Sequence, residues 1–448
     1  MMIIEQFENE HLAHFSYAIL SECERKIVLI DPSRDPQPYY DFAQKHQAEI
    51  IAVIETHPHA DFVSSHLEIA RATGAAIYTS ALAEVQYPHV PFDEAIVLSF
   101  GKIGLKALNT PGHSPDSICI VLKREGQDKA VFTGDTLFIG DCGRPDLREK
   151  AGSNISSREV LARSLYQSLR QHLKTLADDV LIYPAHGAGT LCGKSLKKEK
   201  VSTMGEEKSS NWSLQDISED EFVEHLLAGQ PFIPGYFAYD VELNLSGVPG
   251  FHKSVGQVPL IRQPGETTSG TMVIDTRDEK LFKRGHLPRS INLMTGGPFE
   301  TWLGTLVGPH QPFYLTAGDE ETLSKMIGRT ASIGYERFIT AAFVVEKASE
   351  TTPILDQSEL ALHPERFTIV DVRNKSEVEE KAIFAASIHL PLPALDHHWN
   401  EIPVDKPIVV HCAGGYRSAA ASSLLQAKLK DKVAVYDLGE AVKDLMHG

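Results

Sequence analysis

Over residues 1–250, apolar and polar positions alternate with two different periods. Short apolar runs bounded by polar turns fall at 26–30, 50–54, 96–98, 105–108, 118–122, 130–132 and 180–182, and each predicts a strand. Residues 64–72 and 158–177 repeat their apolar positions at helical spacing. Strands mixed with helices in this way predict a layered α/β domain. A polar, basic stretch follows at 194–211. A helical segment comes next at 219–228, and then a linker spaced by Gly and Pro at 247–265.

Residues 251–448 contain an internal repeat. Val273-Ile274-Asp275-Thr276-Arg277 resembles Ile369-Val370-Asp371-Val372-Arg373, an apolar strand ending in Asp-x-Arg each time. Ser290-Ile291-Asn292 and Ser387-Ile388-His389 follow at similar distances, and then apolar strands at 312–315 and 407–410. The spacing predicts two tandem α/β units, 251–348 and 349–448, each near the size of a small domain. The copies differ beyond the second strand. Counting 41 residues from Asp371 reaches Cys412, and the same count from Asp275 reaches Thr316, in Thr-Ala-Gly-Asp. One active and one degenerate copy are expected.

Composition narrows the function classes. Lys and Arg number 43 against 60 Asp and Glu, and a net charge of −17 argues against a nucleic-acid partner. With 42% hydrophobic residues the chain is neither disordered nor collagen-like. No apolar run approaches the roughly 20 residues of a membrane helix, so no membrane partner is expected. The opening Met-Met-Ile-Ile-Glu-Gln-Phe-Glu-Asn-Glu has neither basic flank nor apolar core, unlike a signal peptide. Cys23, Cys119, Cys142, Cys192 and Cys412 form no disulfide pattern, and a reducing cytoplasm is the expected location.

Four predicted strands run into metal-capable residues. They lead to Thr56-His57-Pro58-His59-Ala60-Asp61, to Thr110-Pro111-Gly112-His113, to Thr133-Gly134-Asp135 and to Tyr183-Pro184-Ala185-His186. Sites in open α/β sheets form beyond the carboxyl ends of strands. One histidine says little, but four strand ends in this order point to a metal. Two imidazoles and a carboxylate leave positions open for oxygen and substrate. Such donors suit Fe(II) and zinc alike, and spacing does not choose between them.

These segments resemble the metallo-β-lactamase superfamily. Its usual signature is His-x-His-x-Asp-His, and here Phe62 takes the last position. In the two-metal hydrolases of the superfamily that histidine helps to hold the second metal. Phe offers no lone pair, so one metal is expected. Within the superfamily the chain is most similar to the persulfide dioxygenases. The likeness covers residues 57–211 and includes Thr110-Pro111-Gly112-His113-Ser114-Pro115-Asp116-Ser117 and Cys142-Gly143-Arg144-Pro145-Asp146. The resemblance implies one Fe(II) per chain, held by His57, His113 and Asp135. His59, Asp61 and His186 then orient the ligands or hydrogen-bond the substrate. Arg144 offers a donor fork to an anionic substrate, or an ion pair to Asp141 or Asp146. Cys142 and Cys192 either line the site or are inert buried thiols.

The second copy carries Val409-Val410-His411-Cys412-Ala413-Gly414-Gly415-Tyr416-Arg417-Ser418 between an apolar strand and a helical run at 419–429. Strand, Gly-rich loop and helix make an anion nest, whose positive surroundings favour a reactive thiolate at Cys412. Arg417 closes the loop and adds a full charge. The six residues from Cys412 to Arg417 resemble the rhodanese active loop, and the likeness covers 353–448. The usual Gly-His-Ile is replaced by Ala386-Ser387-Ile388-His389, and the usual Gly-Gly-x-x-Ala-Trp by Asp437-Leu438-Gly439-Glu440-Ala441-Val442. The middle copy keeps Gly285-His286-Leu287-Pro288 but has Thr316 in place of the nucleophile. It is expected to be a pseudo-rhodanese with a structural or docking role.

Together these readings predict a metallo-β-lactamase αββα sandwich (1–250) followed by two tandem rhodanese-like α/β domains, 251–348 degenerate and 349–448 active. The arrangement resembles bacterial persulfide dioxygenase–rhodanese fusions. That resemblance implies a small thiol persulfide, dioxygen and sulfite as partners, and a homo-oligomer, dimer or tetramer. It implies oxidation of the persulfide to sulfite at iron and thiosulfate formation at Cys412. Two alternatives stand beside it: a metal-dependent thioester hydrolase resembling the hydroxyacylglutathione hydrolases, and a non-enzymatic persulfide carrier.

Overall fold

Of the apolar runs in the first 250 residues, 26–30, 50–54, 118–122 and 130–132 become strands largely buried on both faces, while the strands at 97–100 and 181–184 expose Val97 and Leu181. A computed structural model describes residues 2–148, 157–263, 270–430 and 432–446. Among them, Met2–Asn9 (β1), His14–Ser21 (β2), Lys26–Ile30 (β3), Glu49–Ile54 (β4), Ala76–Thr79 (β5) and Val90–Pro91 (β6) form one sheet in that order. A second sheet has the order β12-β11-β10-β9-β8-β7. Its strands are Val97–Phe100 (β7), Ile103–Asn109 (β8), Ile118–Arg124 (β9), Gln127–Gly134 (β10), Leu181–Pro184 (β11) and Ser202–Thr203 (β12). The sequence pattern missed β1 and β2. β2 mixes His14, Ser16 and Ser21 with apolar residues, yet all eight of its positions are buried.

The inner faces of the two sheets share one core. Tyr17, Ile19, Val28 and Ile54 meet Leu105, Ile120, Leu122 and Phe132 there. The outer face of the first sheet is covered by Tyr39 and Phe42 of the Gln37–His46 helix. That of the second is covered by Ala162 and Leu165 of the Arg158–Ser168 helix, with Leu169 and Leu173 beyond it. The result is the expected αββα sandwich. The helix expected at 158–177 runs regularly from Arg158 to Ser168 and continues as a π turn, Leu169–Leu173. Ser157 caps its start by accepting the N–H of Val160.

The chain divides into two compact units, Met1–Ser254 with Ser332–Gly334, and Val255–Ala331 with Tyr335–Gly448. The second unit holds two parallel four-stranded sheets. In the first, Met272–Asp275 (β13), Ser290–Asn292 (β14), Phe313–Ala317 (β15) and Ile339–Val344 (β16) take the order β14-β13-β15-β16. In the second, Thr368–Asp371 (β17), Ile388–His389 (β18), Ile408–His411 (β19) and Val435–Asp437 (β20) take the order β18-β17-β19-β20. Both are consistent with rhodanese-like folds. Within this unit the two sheets' segments touch. The Asn292 N–H donates to Ser423 Oγ (3.0 Å), and Lys283 lies 2.7 Å from Asp437. Among the described residues no helix is long and apolar enough to cross a membrane.

One count from the sequence is corrected by strand register. Asp371 pairs with His411, and Asp275 pairs with Thr316. Thr316 therefore occupies the place of His411, and the counterpart of Cys412 is Ala317. Counting residues failed because the two copies differ by one residue between their first and third strands. The Ala317 side chain is a methyl group, so the middle copy carries no side-chain nucleophile at that position.

Candidate metal centre and thiol loop

The carboxyl ends of β4, β8, β10 and β11 bring His57, His113, Asp135 and His186 to one edge of the sandwich. His57, His113 and Asp135 are buried, and one ligand atom from each lies within 4.8 Å of the others. Asp135 Oδ2 is 3.5 Å from His113 Nε2 and 3.9 Å from His57 Nε2. That oxygen has no hydrogen-bond partner among the described residues. A buried carboxylate oxygen left unpaired costs free energy unless a cation takes it up. A buried His/Asp metal site is therefore present.

Neighbouring side chains fix how each donor points. Thr56 Oγ1 donates to Asp31 (2.8 Å), so the 3.0 Å contact with His57 Nδ1 uses the ring's N–H. This leaves the His57 Nε2 lone pair for a metal. Burial and the adjacent His59 hold His57 well below the ordinary imidazole value, which keeps it neutral. Burial alone would raise Asp135, but the imidazoles of His186 and His113 outweigh it and hold the carboxyl well below its usual range.

His186 is placed differently. Its Nδ1 donates to Asp135 Oδ1 (2.7 Å), and its Nε2 lies 2.8 Å from Asp61. Burial opposes the charged ring, but the Asp135 and Asp61 carboxylates raise it well above its ordinary value. Through Nδ1 His186 orients Asp135, while its Nε2 has no hydrogen-bond partner among the described residues and forms, with Asp61 and Cys192, a second set of atoms that could hold a metal ion. His59 turns away, its Nε2 3.2 Å from Asp31 and 3.5 Å from Glu55. Phe62 is buried against the rings of His14 (4.0 Å) and His59 (4.3 Å).

Arg144 is only 1% exposed, and its guanidinium forks onto Asp146 at 2.6 and 2.7 Å. Its remaining Nη1 donates to the Leu191 carbonyl. Of the two readings the sequence allowed, the ion pair is present, with Asp146. Asp141 instead accepts from the Trp212 indole and the backbone of Lys194 and Ser195. Cys142 lies in the core beside the second sheet, and burial pushes its thiol up. Cys192 is buried next to Asp61 and His186, and burial followed by the Asp61 charge raises it well above its ordinary value.

In the second unit, β19 delivers Cys412 to the start of the Tyr416–Leu429 helix. The thiol is 1% exposed, and the Gly415 N–H donates to its Sγ at 3.1 Å. Gly415 sits at φ 101, backbone that L side chains rarely adopt, and its Cα faces the Gly439–Glu440 backbone. Arg417 closes the loop, but its two Nη atoms reach Glu377 at 2.6 and 2.7 Å. No sequence pattern pointed to Glu377.

Known proteins match both regions. A model of the metallo-beta-lactamase superfamily matches residues 12–186. The mitochondrial persulfide dioxygenase of Homo sapiens is 30% identical over 212 residues, covering 47% of this chain and 74% of that protein. The chain belongs to the metallo-beta-lactamase superfamily. The cytoplasmic hydroxyacylglutathione hydrolase of Arabidopsis thaliana is 32% identical over 176 residues, 39% of this chain. The match spans 63% of that hydrolase's length. A metallo-beta-lactamase from Staphylococcus aureus subsp. aureus COL aligns with a TM-score of 0.68 and 30% identity, over 77% of this chain and 99% of its own. A rhodanese-like domain model matches residues 356–440, around Cys412. The protein is thus a metalloenzyme of the metallo-beta-lactamase fold joined to a rhodanese-like domain.

Several site residues of this metallo-beta-lactamase domain escaped the sequence reading. Asn244, in the Phe237–Ser246 helix, donates to the carbonyls of His59 (2.8 Å) and Phe62 (2.7 Å) and so holds the His57–Phe62 turn. Asp31 accepts from both the backbone and the hydroxyl of Thr56. A Cβ on Gly143 would come within 1.9 Å of the Asp135 carbonyl oxygen and 3.0 Å of His113 Nδ1, so only glycine fits there. The Cys142-Gly143-Arg144 motif quoted from the sequence held that last signal.

Proposed function

We propose that the protein is a non-haem Fe(II) persulfide dioxygenase coupled to a thiosulfate-forming sulfurtransferase, with the domains at 1–250, 251–348 and 349–448. The observation that carries the reading is the set of His57, His113 and Asp135, with the unpaired Asp135 Oδ2 facing both imidazoles. One feature supports one metal rather than two: Phe62 stands in the place of a ligand. His57, His113 and Asp135 would hold ferrous iron, which when bound would supply the dioxygen activation needed to oxidise a persulfide's outer sulfur to sulfite. The surrounding residues keep that site in order. Asp31 and Thr56 fix the His57 tautomer, His186 turns Asp135, and Phe62 with His14 walls the site with rings.

At the second site, Cys412 is the nucleophile. Its sulfur attacks the outer sulfur of a small thiol persulfide, the S–S bond breaks, and the thiol leaves. Cys412 then carries the sulfane sulfur. The sulfur lone pair of sulfite attacks that atom, the new S–S bond breaks, Cys412 is regenerated and thiosulfate departs. The backbone N–H of Gly415 steadies the Cys412 sulfur.

The test is metal analysis of the purified protein with oxygen uptake on a thiol persulfide, for wild type and Cys412→Ser. The expected result is about one iron per chain, persulfide-dependent oxygen uptake in both forms, and sulfite in place of thiosulfate from Cys412→Ser. Two zinc ions without oxygen uptake would replace this reading with the thioester hydrolase. Sulfur transfer that survives metal removal, with no oxygen uptake at all, would replace it with the carrier.

A further inference from the structure

The cation that closes the thiol loop is already paired. Arg417 meets Glu377 fork to fork, Nη1 to Oε2 at 2.6 Å and Nη2 to Oε1 at 2.7 Å. This is the geometry with which a guanidinium grips an oxyanion. Glu377 comes from the Lys375–Glu380 helix of the same repeat and is fixed there as well, because its Oε2 accepts the Asn374 N–H at 2.9 Å. The pair is largely sheltered, with the Arg417 side chain 15% and the Glu377 side chain 32% exposed. Cys412 and Glu377 both act on the Arg417 charge. The loop's own donor, the Gly415 N–H, points at the Cys412 sulfur.

We propose that Glu377 is the specificity-determining residue of the Cys412 loop, occupying the Arg417 fork so that a dianionic sulfur oxyanion, sulfite or thiosulfate, binds only by displacing its carboxylate. The inference rests on the sulfurtransferase reading of this loop and sharpens it. A neutral persulfide reaches Cys412 without contending with the carboxylate, and an anion contends with it in proportion to its charge. A dianion must first break the pair and then sit beside the freed negative charge. Glu377 therefore weakens the hold on thiosulfate, the product, and eases its departure. It acts on charge alone and leaves the sulfur's nucleophilicity to the loop.

Two alkylating reagents of similar size, one uncharged and one anionic, test this without using the enzyme's turnover. Iodoacetamide is neutral and iodoacetate is an anion. Each reacts by attack of the Cys412 sulfur on the methylene carbon, with iodide leaving. Rates at Cys412 are followed by peptide mass spectrometry in the full chain. In Glu377→Gln, which keeps an oxygen to cap Asn374, the iodoacetate rate should rise about fivefold relative to iodoacetamide. Glu377→Asp should keep the wild-type ratio. A ratio unchanged in Glu377→Gln, or raised equally in Glu377→Asp, would overturn the proposal. If Glu377→Gln does not accumulate as folded protein, Glu377→Ala is read by the same ratio. With thiosulfate as sulfur donor to cyanide, Glu377→Gln should lower KM about fivefold at unchanged kcat. Absence of any persulfide on Cys412 would instead sink the sulfurtransferase reading, while the alkylation ratio would still report on Glu377.

Discussion

The two repeats of the second unit have sheets of the same strand order and differ in one loop. In both, the Asp-x-Arg at the end of the first strand folds back on itself. Arg277 Nη2 reaches Asp275 at 2.6 Å and the Gly285 carbonyl at 2.8 Å. Arg373 Nη2 reaches Asp371 at 2.6 Å and the Lys381 carbonyl at 3.0 Å. The Asp-x-Arg motif is therefore a strand clamp in each copy. The contrast begins after the third strand. β15 ends in Ala317 and passes through Gly318 and Asp319 into the Glu320–Ser332 helix, where Asp319 caps the N–H of Thr322. β19 is followed by Cys412 and reaches its helix through Gly415, which has no side chain to cap with. An acidic cap excludes anions from one helix start, and a bare glycine leaves the other start open to them. Scaffold and chemistry are thus separable, and only the few residues after the third strand decide between them.

The largest effect expected from this contrast lies in the clamp. Asp371→Asn leaves Arg373, only 3% exposed, without its counter-charge, and should cost about 3 kcal/mol of stability in urea unfolding. Asp275→Asn should cost less, about 1–2 kcal/mol, because the Arg277 side chain is 12% exposed and water reaches it. Equal losses would mean that burial does not distinguish the two clamps.

A smaller effect follows from the register that pairs His411 with Asp371 and Thr316 with Asp275. Burial pulls His411 down to about 4, against the help of Asp371. Its folded form therefore refuses a proton that the unfolded chain accepts below about pH 6.5. Stability should be complete above that value, fall as pH drops from 6.5 towards 4, and be about 2 kcal/mol lower at pH 5. His411→Thr, which installs the middle repeat's residue, should flatten that slope in unfolding curves at pH 7 and pH 5. An unchanged slope would place the responsible group elsewhere.

Much of this was readable from residues alone, for physical reasons. Apolar runs buried on both faces announced β4, β9 and β10, and the polar residues just past strand ends announced His57, His113 and Asp135. The thiol loop is contiguous, so spacing sufficed. What escaped depends on tertiary approach. Asn244 meets the His57–Phe62 turn from 180 or more residues away, and Glu377 meets Arg417 across 40. No local pattern distinguishes such a residue from an ordinary helix position. Arg144 was undecided because one Arg-x-Asp serves a substrate or an ion pair equally, and its pairing with Asp146 is visible only in the fold. The Thr316 count failed for a related reason: register belongs to hydrogen bonds, and a single residue's difference in a connecting segment shifts it.

The smallest effect concerns what the degenerate repeat does for the active one. Tyr416 lies inside the Cys412 loop, and its hydroxyl donates to the Met294 carbonyl at 3.0 Å. Its ring rests against Gly297, where an added Cβ would come within 2.2 Å of it. That turn is itself held by Arg329, which donates to the carbonyls of Thr295 (2.6 Å) and Gly297 (3.0 Å) while forking onto Glu300. A buried ion pair in the middle repeat thus shapes the surface on which the active loop's tyrosine is seated. Tyr416→Phe removes the hydroxyl and keeps the ring, so it should cost only about 1 kcal/mol in unfolding free energy. If the seat serves the loop as well as the fold, the alkylation rate of Cys412 by iodoacetamide should also change in Tyr416→Phe. A loss of stability with an unaltered rate would make the middle repeat a prop for the scaffold alone. A changed rate would show that the repeat without a nucleophile still sets the geometry of the one that has it.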